Sequence, residues 1–141
     1  MILDMEIKIY TSLPDEAMQI RTTVFVKEQG FVDLPDETDL VALHFVGYID
    51  SLPVATCRAF KGDDDCYILG RFAVLKAYRG RGLGSELLGA VCDSLRERGV
   101  PCLKLHSQYP AKDFYEKNGF EVCGEPEYEQ NALHVWMKKM L

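Results

Sequence analysis

Apolar and polar residues alternate over residues 5–10, which predicts a strand with one buried face. Six later segments, bounded by turn residues, also have a strand-like pattern: 42–49, 54–61, 66–75, 102–107, 120–123 and 133–137. The turn Asp50-Ser51 is expected to join the first two of these six in a hairpin, and the last two are expected to form a final hairpin.

Helical spacing is strongest in the middle of the chain, where six apolar residues predict a helix that Gly99 ends: Leu83, Leu87, Leu88, Val91, Cys92 and Leu95. An earlier helix, capped by Ser12 or Asp15, is expected to run to about Lys27. Residues 30–39 are predicted to be a loop or an irregular short helix, and residues 111–118 a short helix. A strand, a helix and a strand in succession predict a parallel crossover within an otherwise antiparallel sheet, in an α+β domain.

Between the third long strand and the central helix lies a turn with glycines at alternate positions, Arg79-Gly80-Arg81-Gly82-Leu83-Gly84. Glycines allow backbone N–H groups to converge on an anion, and the following helix adds its free N-terminal donors. The turn therefore predicts a phosphate or pyrophosphate site. It lacks the Gly-Lys-Ser/Thr ending of a nucleoside-triphosphate loop and the third glycine of a dinucleotide fingerprint. A tight turn with solvated arginines is the alternative.

Composition narrows the class of protein. The chain has 141 residues, enough for one domain over 1–141, and no apolar stretch of membrane-spanning length. Its N-terminus has acids where a signal peptide has bases, so a cytoplasmic protein is expected. A net charge of −6 argues against a nucleic-acid partner. The five cysteines are expected to be reduced and buried, and no cysteine or histidine spacing predicts a metal site.

The glycine turn resembles the Arg/Gln-x-x-Gly-x-Gly/Ala signature of the GNAT superfamily of N-acetyltransferases, through Arg79, Gly82 and Gly84. A second segment resembles the family's Asn-x-x-Ala-x-x-x-Tyr and Gly-Phe motifs, with Gln108 in place of the usual asparagine. The N-terminal half narrows this resemblance to the ElaA/YjcF-like branch, through residues 21–29, the acidic segment 36–39, His44 and Gly70-Arg71.

This resemblance implies a three-layer α/β/α fold around a mixed, mostly antiparallel sheet, in which two central parallel strands splay apart. Acetyl-coenzyme A (acetyl-CoA) would be the co-substrate, its pantetheine paired with the backbone of the third long strand and its pyrophosphate on the turn. The resemblance assigns twelve residues to cofactor binding: Phe72, Ala73, Val74, Arg79, Gly80, Arg81, Gly82, Leu83, Gly84, Ser85, Gln108 and Phe114.

Acetyl transfer to an amine requires a neutral amine, a polarised thioester carbonyl and a protonated leaving thiolate. Tyr115 stands where the family has the acid that protonates the thiolate, and we favour this role over the alternative, packing of its ring between helix and sheet. Phe114 and Phe120 are expected to pack. Glu28 is our candidate for the base, with a solvated acid as an equal alternative.

Several acidic residues and histidines could also contribute to binding the acceptor, and each has a structural alternative. Asp36, Glu37 and Asp39 could attract a cationic acceptor or form a solvated loop. The three histidines are more often packed than catalytic in strands, and His44 and His134 are ranked ahead of His106. The acceptor is expected to be a small amine or amino sugar, attacked directly in a ternary complex. A protein lysine or N-terminus, or a non-catalytic acyl-CoA sensor, are the alternatives, and a homodimer is possible.

Overall fold

In the computed structural model, residues 4–141 are described, and the first three residues of the N-terminal segment discussed above lie outside this range. The strands are β1 (Glu6–Tyr10), β2 (Leu43–Ile49), β3 (Leu52–Lys61), β4 (Tyr67–Val74), β5 (Cys102–Gln108), β6 (Glu121–Val122), β7 (Glu127–Glu129) and β8 (Ala132–Met140). The helices are α1 (Asp15–Arg21), continued by a π-helical segment (Thr22–Glu28), α2 (Glu37–Val41), α3 (Leu83–Glu97) and α4 (Lys112–Lys117).

One mixed sheet contains all these strands, in the order β1-β2-β3-β4-β5-β8-β6, with β7 also paired to β8. Among these strands, β4 and β5 form the parallel pair, and the other pairings are antiparallel. Because α3 connects β4 to β5, this is the predicted crossover. The α+β fold with a mostly antiparallel sheet is confirmed.

Helices cover both faces of the sheet. On one face, α3 and α4 bury Leu87, Leu88 and Tyr115 in a large core cluster. On the other, α1 and the π-helical segment bury Ile20 and Phe25 in a smaller cluster. The two clusters divide according to strand alternation, since side chains at successive positions point to opposite faces. The result is the predicted three-layer arrangement.

Two local predictions were wrong. Neither Ser12 nor Asp15 caps α1, because Pro14 is the N-cap and its carbonyl accepts hydrogen bonds from the amides of Ala17 and Met18. The final hairpin is formed by β7 and β8, whereas β6 is a separate two-residue strand on β8. The pattern missed β7 because its sequence, Glu-Tyr-Glu, is exposed throughout and has no buried face.

The cysteine prediction was also wrong in part. Cys57 and Cys92 are buried and free, as expected, but Cys123 is exposed and Cys66 forms a disulfide with Cys102. These two cysteines immediately precede the first parallel pair of β4 and β5, Tyr67 with Leu103, so their side chains are neighbours across the strands.

Three acids of the segment after α1, Asp33, Asp36 and Asp39, are paired with arginines, whereas Glu37 is exposed to solvent as one of the alternatives predicted. Arg21 is 1% exposed, and its guanidinium donates hydrogen bonds to the carboxylates of Asp33 and Asp39 at 2.8 Å. Arg58 donates to Asp36 and Asp39 at 2.7 and 2.8 Å. This set of residues, which we name the Arg–Asp network, also receives Arg71 from β4, whose Nε donates to Asp33 at 3.0 Å.

Protonation of the Arg–Asp network is strongly biased towards the charged forms. Burial alone would raise the pKa of Asp39, but hydrogen bonds from Arg21, the Asp36 backbone and Arg58 outweigh it and hold the pKa well below its usual range. The stability linked to this depressed pKa is present above the ordinary aspartate pKa of about 3.9 and is lost as the pH falls towards the folded-state value.

We predict that Arg21→Met destabilises the fold by about 3–5 kcal/mol, because it leaves the buried carboxylates of Asp33 and Asp39 short of a counter-charge. Urea unfolding at pH 7 measures this loss. The control is Arg96→Met, which breaks an exposed ion pair with Asp93 and should change the free energy of unfolding by less than about 0.5 kcal/mol. Equal losses in the two variants would contradict a structural role for the network.

Candidate active site

The parallel pairing of β4 and β5 stops after Leu69 and Leu105. Beyond this point β4 stays bonded to β3 as far as Val74, and β5 stays bonded to β8 as far as Gln108. The facing edges of the two strands therefore separate, and their main-chain groups are left available to a ligand. This is the splayed pair that the resemblance implies.

A bulge accompanies the separation. Between Thr56 and Arg58 of β3, the partner strand runs from Ala73 back to Gly70 and so carries one extra residue. Arg71, within the bulge, has a φ of 53°, which is unusual for a residue with a side chain. The bulge turns Arg71 towards the Arg–Asp network and leaves Phe72 packed against the α3–α4 face.

The glycine turn leads directly into α3. Gly82 is the N-cap, with a φ of 77° and no side-chain cap, so the first backbone N–H groups of α3 remain free to bind an anion. Leu83 is buried, and Gly84 lies against the Phe114 ring so closely that a Cβ there would be 3.2 Å from it. Ser85 accepts a hydrogen bond from the Asn118 side chain at 3.2 Å. The turn thus joins α3 to α4 beside the splay.

Arg79 connects the turn to two other elements. Its Nε donates to the Val74 carbonyl at 2.9 Å, and its two terminal nitrogens donate to the Glu28 carboxylate at 2.6 and 2.8 Å. The hydrogen bond from Arg79 lowers the pKa of Glu28. Arg81 stacks over Tyr78, with 5.8 Å from the guanidinium carbon to the ring centroid. Glu28 therefore lies at the glycine turn as a carboxylate, and its role as the base stays a prediction.

Tyr115 is 8% exposed and lies among aromatic rings, with centroids 5.0 Å from Phe114, 5.8 Å from Phe120 and 6.0 Å from Phe72. Burial raises the pKa of its phenol, with a smaller contribution from Cys57, so the hydroxyl is protonated at neutral pH. Tyr115 also lines the cavity at the splay. The ring of Tyr115 is therefore packed in the core and also borders the cavity.

A cavity of about 510 Å³ occupies the splay and reaches both faces of the sheet. Two side-chain bridges cross it: Gln108 donates to Gln29 at 2.9 Å, and the Val32 amide donates to Gln130 at 3.1 Å. These contacts connect the loop after the π-helical segment to β5 and to the β7–β8 turn. We call this loop, residues 29–33, the roof of the cavity.

The structure changes which residues are available to bind the acceptor. Asp36 and Asp39 are engaged by arginines, so the acidic segment does not offer them as a free cation site. His44 is 1% exposed, and its Nε2 is 2.9 Å from the Asp39 carbonyl, which makes it part of the fold. The cavity is lined instead by His106 and His134, reversing the predicted order of His44 and His106.

Sequence reasoning missed the polar group opposite Tyr115. His106 approaches Glu129 of β7 through Nδ1 at 2.9 Å and stacks on Trp136 of β8 at 4.7 Å. Strand alternation could have put His106 and Gln108 on one face of β5. Nothing in the pattern indicated Glu129, because β7 itself was not predicted.

Among residues 4–141, no helix is long and apolar enough to cross a membrane. The same residues contain no group of three or more histidine, cysteine or acidic side chains arranged to hold a metal ion.

Residues 41–122 match the family model described as acetyltransferase (GNAT) domain. The N-acetyltransferase YjcF of Bacillus subtilis is 32% identical over 88% of this chain and 90% of its own length. A Lactobacillus plantarum structure described as an N-acetyltransferase has a TM-score of 0.89 at 33% identity and covers 97% of this chain and 98% of that one. Escherichia coli ElaA gives a TM-score of 0.84 at 26% identity, with 98% and 99% covered.

We predict that Gly82→Ala destabilises the protein by about 1–2 kcal/mol, because alanine is strained in the left-handed conformation at this N-cap. Gly89→Ala is the matched control: Gly89 is exposed within α3, has an open surrounding and should gain about 0.5–1 kcal/mol. Thermal unfolding of both variants measures the two shifts. Equal shifts would contradict the argument from backbone conformation.

Proposed function

The chain belongs to the GNAT acetyltransferase family, in the branch of ElaA and YjcF, and we propose that it moves an acetyl group from acetyl-CoA to a small primary amine by direct attack. The observation that carries the proposal is a single cavity at the β4–β5 splay, which is lined by Tyr115, by His106 and His134, and by the two rings on which Gly84 of the glycine turn lies, Phe72 and Phe114. Donor, acceptor and acid could meet there without a covalent intermediate.

Cofactor binding is proposed to use main chain more than side chains. The free edge of β4 at Phe72, Ala73 and Val74 offers N–H and C=O groups to the amides of pantetheine. The pyrophosphate is proposed to bind the amides from Gly80 to Ser85, with charge supplied by Arg79 and Arg81. Gln108 would lie beside the pantetheine arm and Phe114 beneath the turn, packed on Gly84.

Arg79 would have to exchange partners when the pyrophosphate arrives. Its guanidinium is bidentate to Glu28, and its Nε is on the Val74 carbonyl, which is one of the groups proposed for pantetheine. Since both contacts are partly exposed, releasing them costs little compared with a charged hydrogen bond to phosphate.

Tyr115 is proposed as the acid that protonates the departing thiolate. Its raised pKa keeps the proton on the phenol until a strong base, such as a thiolate formed in a dry site, is beside it. The bond formed is between the acceptor nitrogen and the acetyl carbon, and the bond broken is between that carbon and sulfur. The phenol proton goes to sulfur, solvent returns a proton to the phenolate, and the surplus proton of the new amide nitrogen leaves to solvent.

A small acceptor fits the cavity better than a protein side chain. The roof is tied across the opening by Gln29–Gln108 and Val32–Gln130, which restrict entry. A cavity of about 510 Å³ that also receives the end of pantetheine leaves room for a compact amine.

We predict that Tyr115→Phe lowers kcat about 100-fold and changes the Kd of acetyl-CoA by less than about twofold, because only the proton donor is removed. Transfer assays over a panel of amines and amino sugars, with titration calorimetry for acetyl-CoA, measure the two effects. Tyr109→Phe, on an exposed tyrosine before α4, is the control and should leave both unchanged. Equal turnover by Tyr115→Phe and wild type would refute the acid role.

We also predict that Arg79→Gln weakens acetyl-CoA binding about tenfold, through loss of a charged hydrogen bond to the pyrophosphate. The loss should shrink as salt is raised. Arg98→Gln, at the far end of α3, is the matched control. If calorimetry finds no acetyl-CoA binding by the wild-type protein, the proposed function is wrong.

A further inference from the structure

His106 occupies a special position in the sheet. It is the first residue of β5 after the last β4–β5 pair, Leu69 with Leu105, so it lies at the vertex of the splay. Leu105 belongs to the core cluster that contains Tyr115. Because neighbouring strand residues point to opposite faces, His106 projects to the face opposite Tyr115. On the proposed function, that is the side from which an acceptor would approach the thioester.

The ring of His106 is held in one orientation. Nδ1 lies 2.9 Å from the Glu129 carboxylate, and since a carboxylate only accepts, Nδ1 carries a hydrogen. The ring stacks on Trp136 with centroids 4.7 Å apart and planes inclined by 19°, and His134 is 4.9 Å away on another side. In the neutral imidazole, Nε2 is therefore the atom with the lone pair.

Nε2 lacks a hydrogen-bond partner although it is buried. The Glu127 carboxylate is 3.1 Å away but out of line for a hydrogen bond. With a neutral ring, two acceptors thus face one another with no hydrogen between them, which is unfavourable in a buried place. A donor that carries a positive charge and several hydrogens, as a primary ammonium group does, would satisfy both acceptors.

We propose that His106, in place of the earlier candidate Glu28, is the base that takes a proton from the acceptor's ammonium group, and that Glu129 is the residue that positions it. This deepens the proposed function and rests on it. An N–H bond of the ammonium breaks, its proton forms a bond to Nε2, and the neutral amine keeps the electron pair with which it attacks the acetyl carbon. The imidazolium returns that proton to solvent after transfer. The balance is one ammonium and one thioester giving one amide, one thiol and one proton.

The charges around His106 favour a cationic acceptor. Glu127 and Glu129 face it from β7, and His134 faces it from β8. Across the cavity, Arg58 and Arg71 are paired with the aspartates of the Arg–Asp network. The carboxylates of β7 lack such arginine partners among their described contacts, so the histidine side of the cavity is the more negative one. A second positive charge on the acceptor should therefore help binding.

The test compares wild type with His106→Gln, using 1,4-diaminobutane as the probe acceptor. At pH 7 we expect kcat/KM to fall about 100-fold, with acetyl-CoA affinity kept. Between pH 7 and pH 9 the ratio of wild-type to variant kcat/KM, which we call the gap in rate, should fall about tenfold or more. The reason is that more of an amine with a pKa of about 10.4 is already neutral in solution at the higher pH. A purely structural role for His106 would leave the gap constant. His106→Asn, checked by thermal unfolding, replaces the first variant if that one does not fold.

Two comparisons sharpen the result. Glu129→Gln keeps a hydrogen-bond acceptor for Nδ1 but removes the charge, and it should cost about tenfold in kcat with the same narrowing of the gap at high pH. Wild type should prefer 1,4-diaminobutane over 4-aminobutanoate, which has a similar chain with a carboxylate end, by about tenfold in kcat/KM.

Several outcomes would overturn the inference: a full rate in His106→Gln, a gap that does not change with pH, or the pH-dependent loss appearing in Glu28→Gln or His134→Gln instead. Acetyl-CoA binding by a wild-type protein that acetylates no amine also overturns it, while leaving the cofactor site intact. Absence of acetyl-CoA binding is the separate failure of the proposed function.

Discussion

The whole site depends on two parallel strands that stop pairing halfway along their length. After Leu69 and Leu105, β4 is bonded only on its β3 side and β5 only on its β8 side. Both strands are therefore fixed from outside and cannot close on each other, while their inner edges keep unsatisfied backbone groups. On the proposed function, a ligand with amide groups of its own, as pantetheine has, would restore the missing hydrogen bonds.

The Arg–Asp network holds the loop that covers this gap in place. A segment with so many acids would ordinarily extend into water, but Arg21, Arg58 and Arg71 draw Asp33, Asp36 and Asp39 against the sheet. A buried network of this kind adds little net stability, because the cost of desolvating its charges offsets much of their attraction. Here it determines where the roof at residues 29–33 lies, because Asp33 ends that loop. The same arginines are neutralised by these aspartates. The net charge of the cavity lining therefore comes mainly from the side that carries His106 and His134.

Periodicity and glycine placement were enough to predict most elements and the place of the glycine turn before α3, because both depend on residues near one another in sequence. The Arg–Asp network was not predictable in this way: charges alone do not tell which of several arginines, 12 to 38 residues away, meets a given aspartate. The exposed strand β7 left no apolar pattern, so Glu129 and the setting of His106 were missed with it. The Cys66–Cys102 disulfide could have been predicted from the sequence, since both cysteines begin strands that were predicted to be parallel neighbours.

Strand alternation offers a reason why an acid and a base can serve one thioester here without interfering. The attacking nitrogen and the leaving sulfur occupy different positions around the acetyl carbon, so their proton carriers must approach from different directions. A sheet has two faces, and a splay between its strands opens both to the same carbon. Tyr115 belongs to the core of one face and His106 projects from the other. On our proposals, the opening between β4 and β5 lets the two residues act on one reacting centre, while the sheet keeps the phenol and the imidazole from exchanging protons directly.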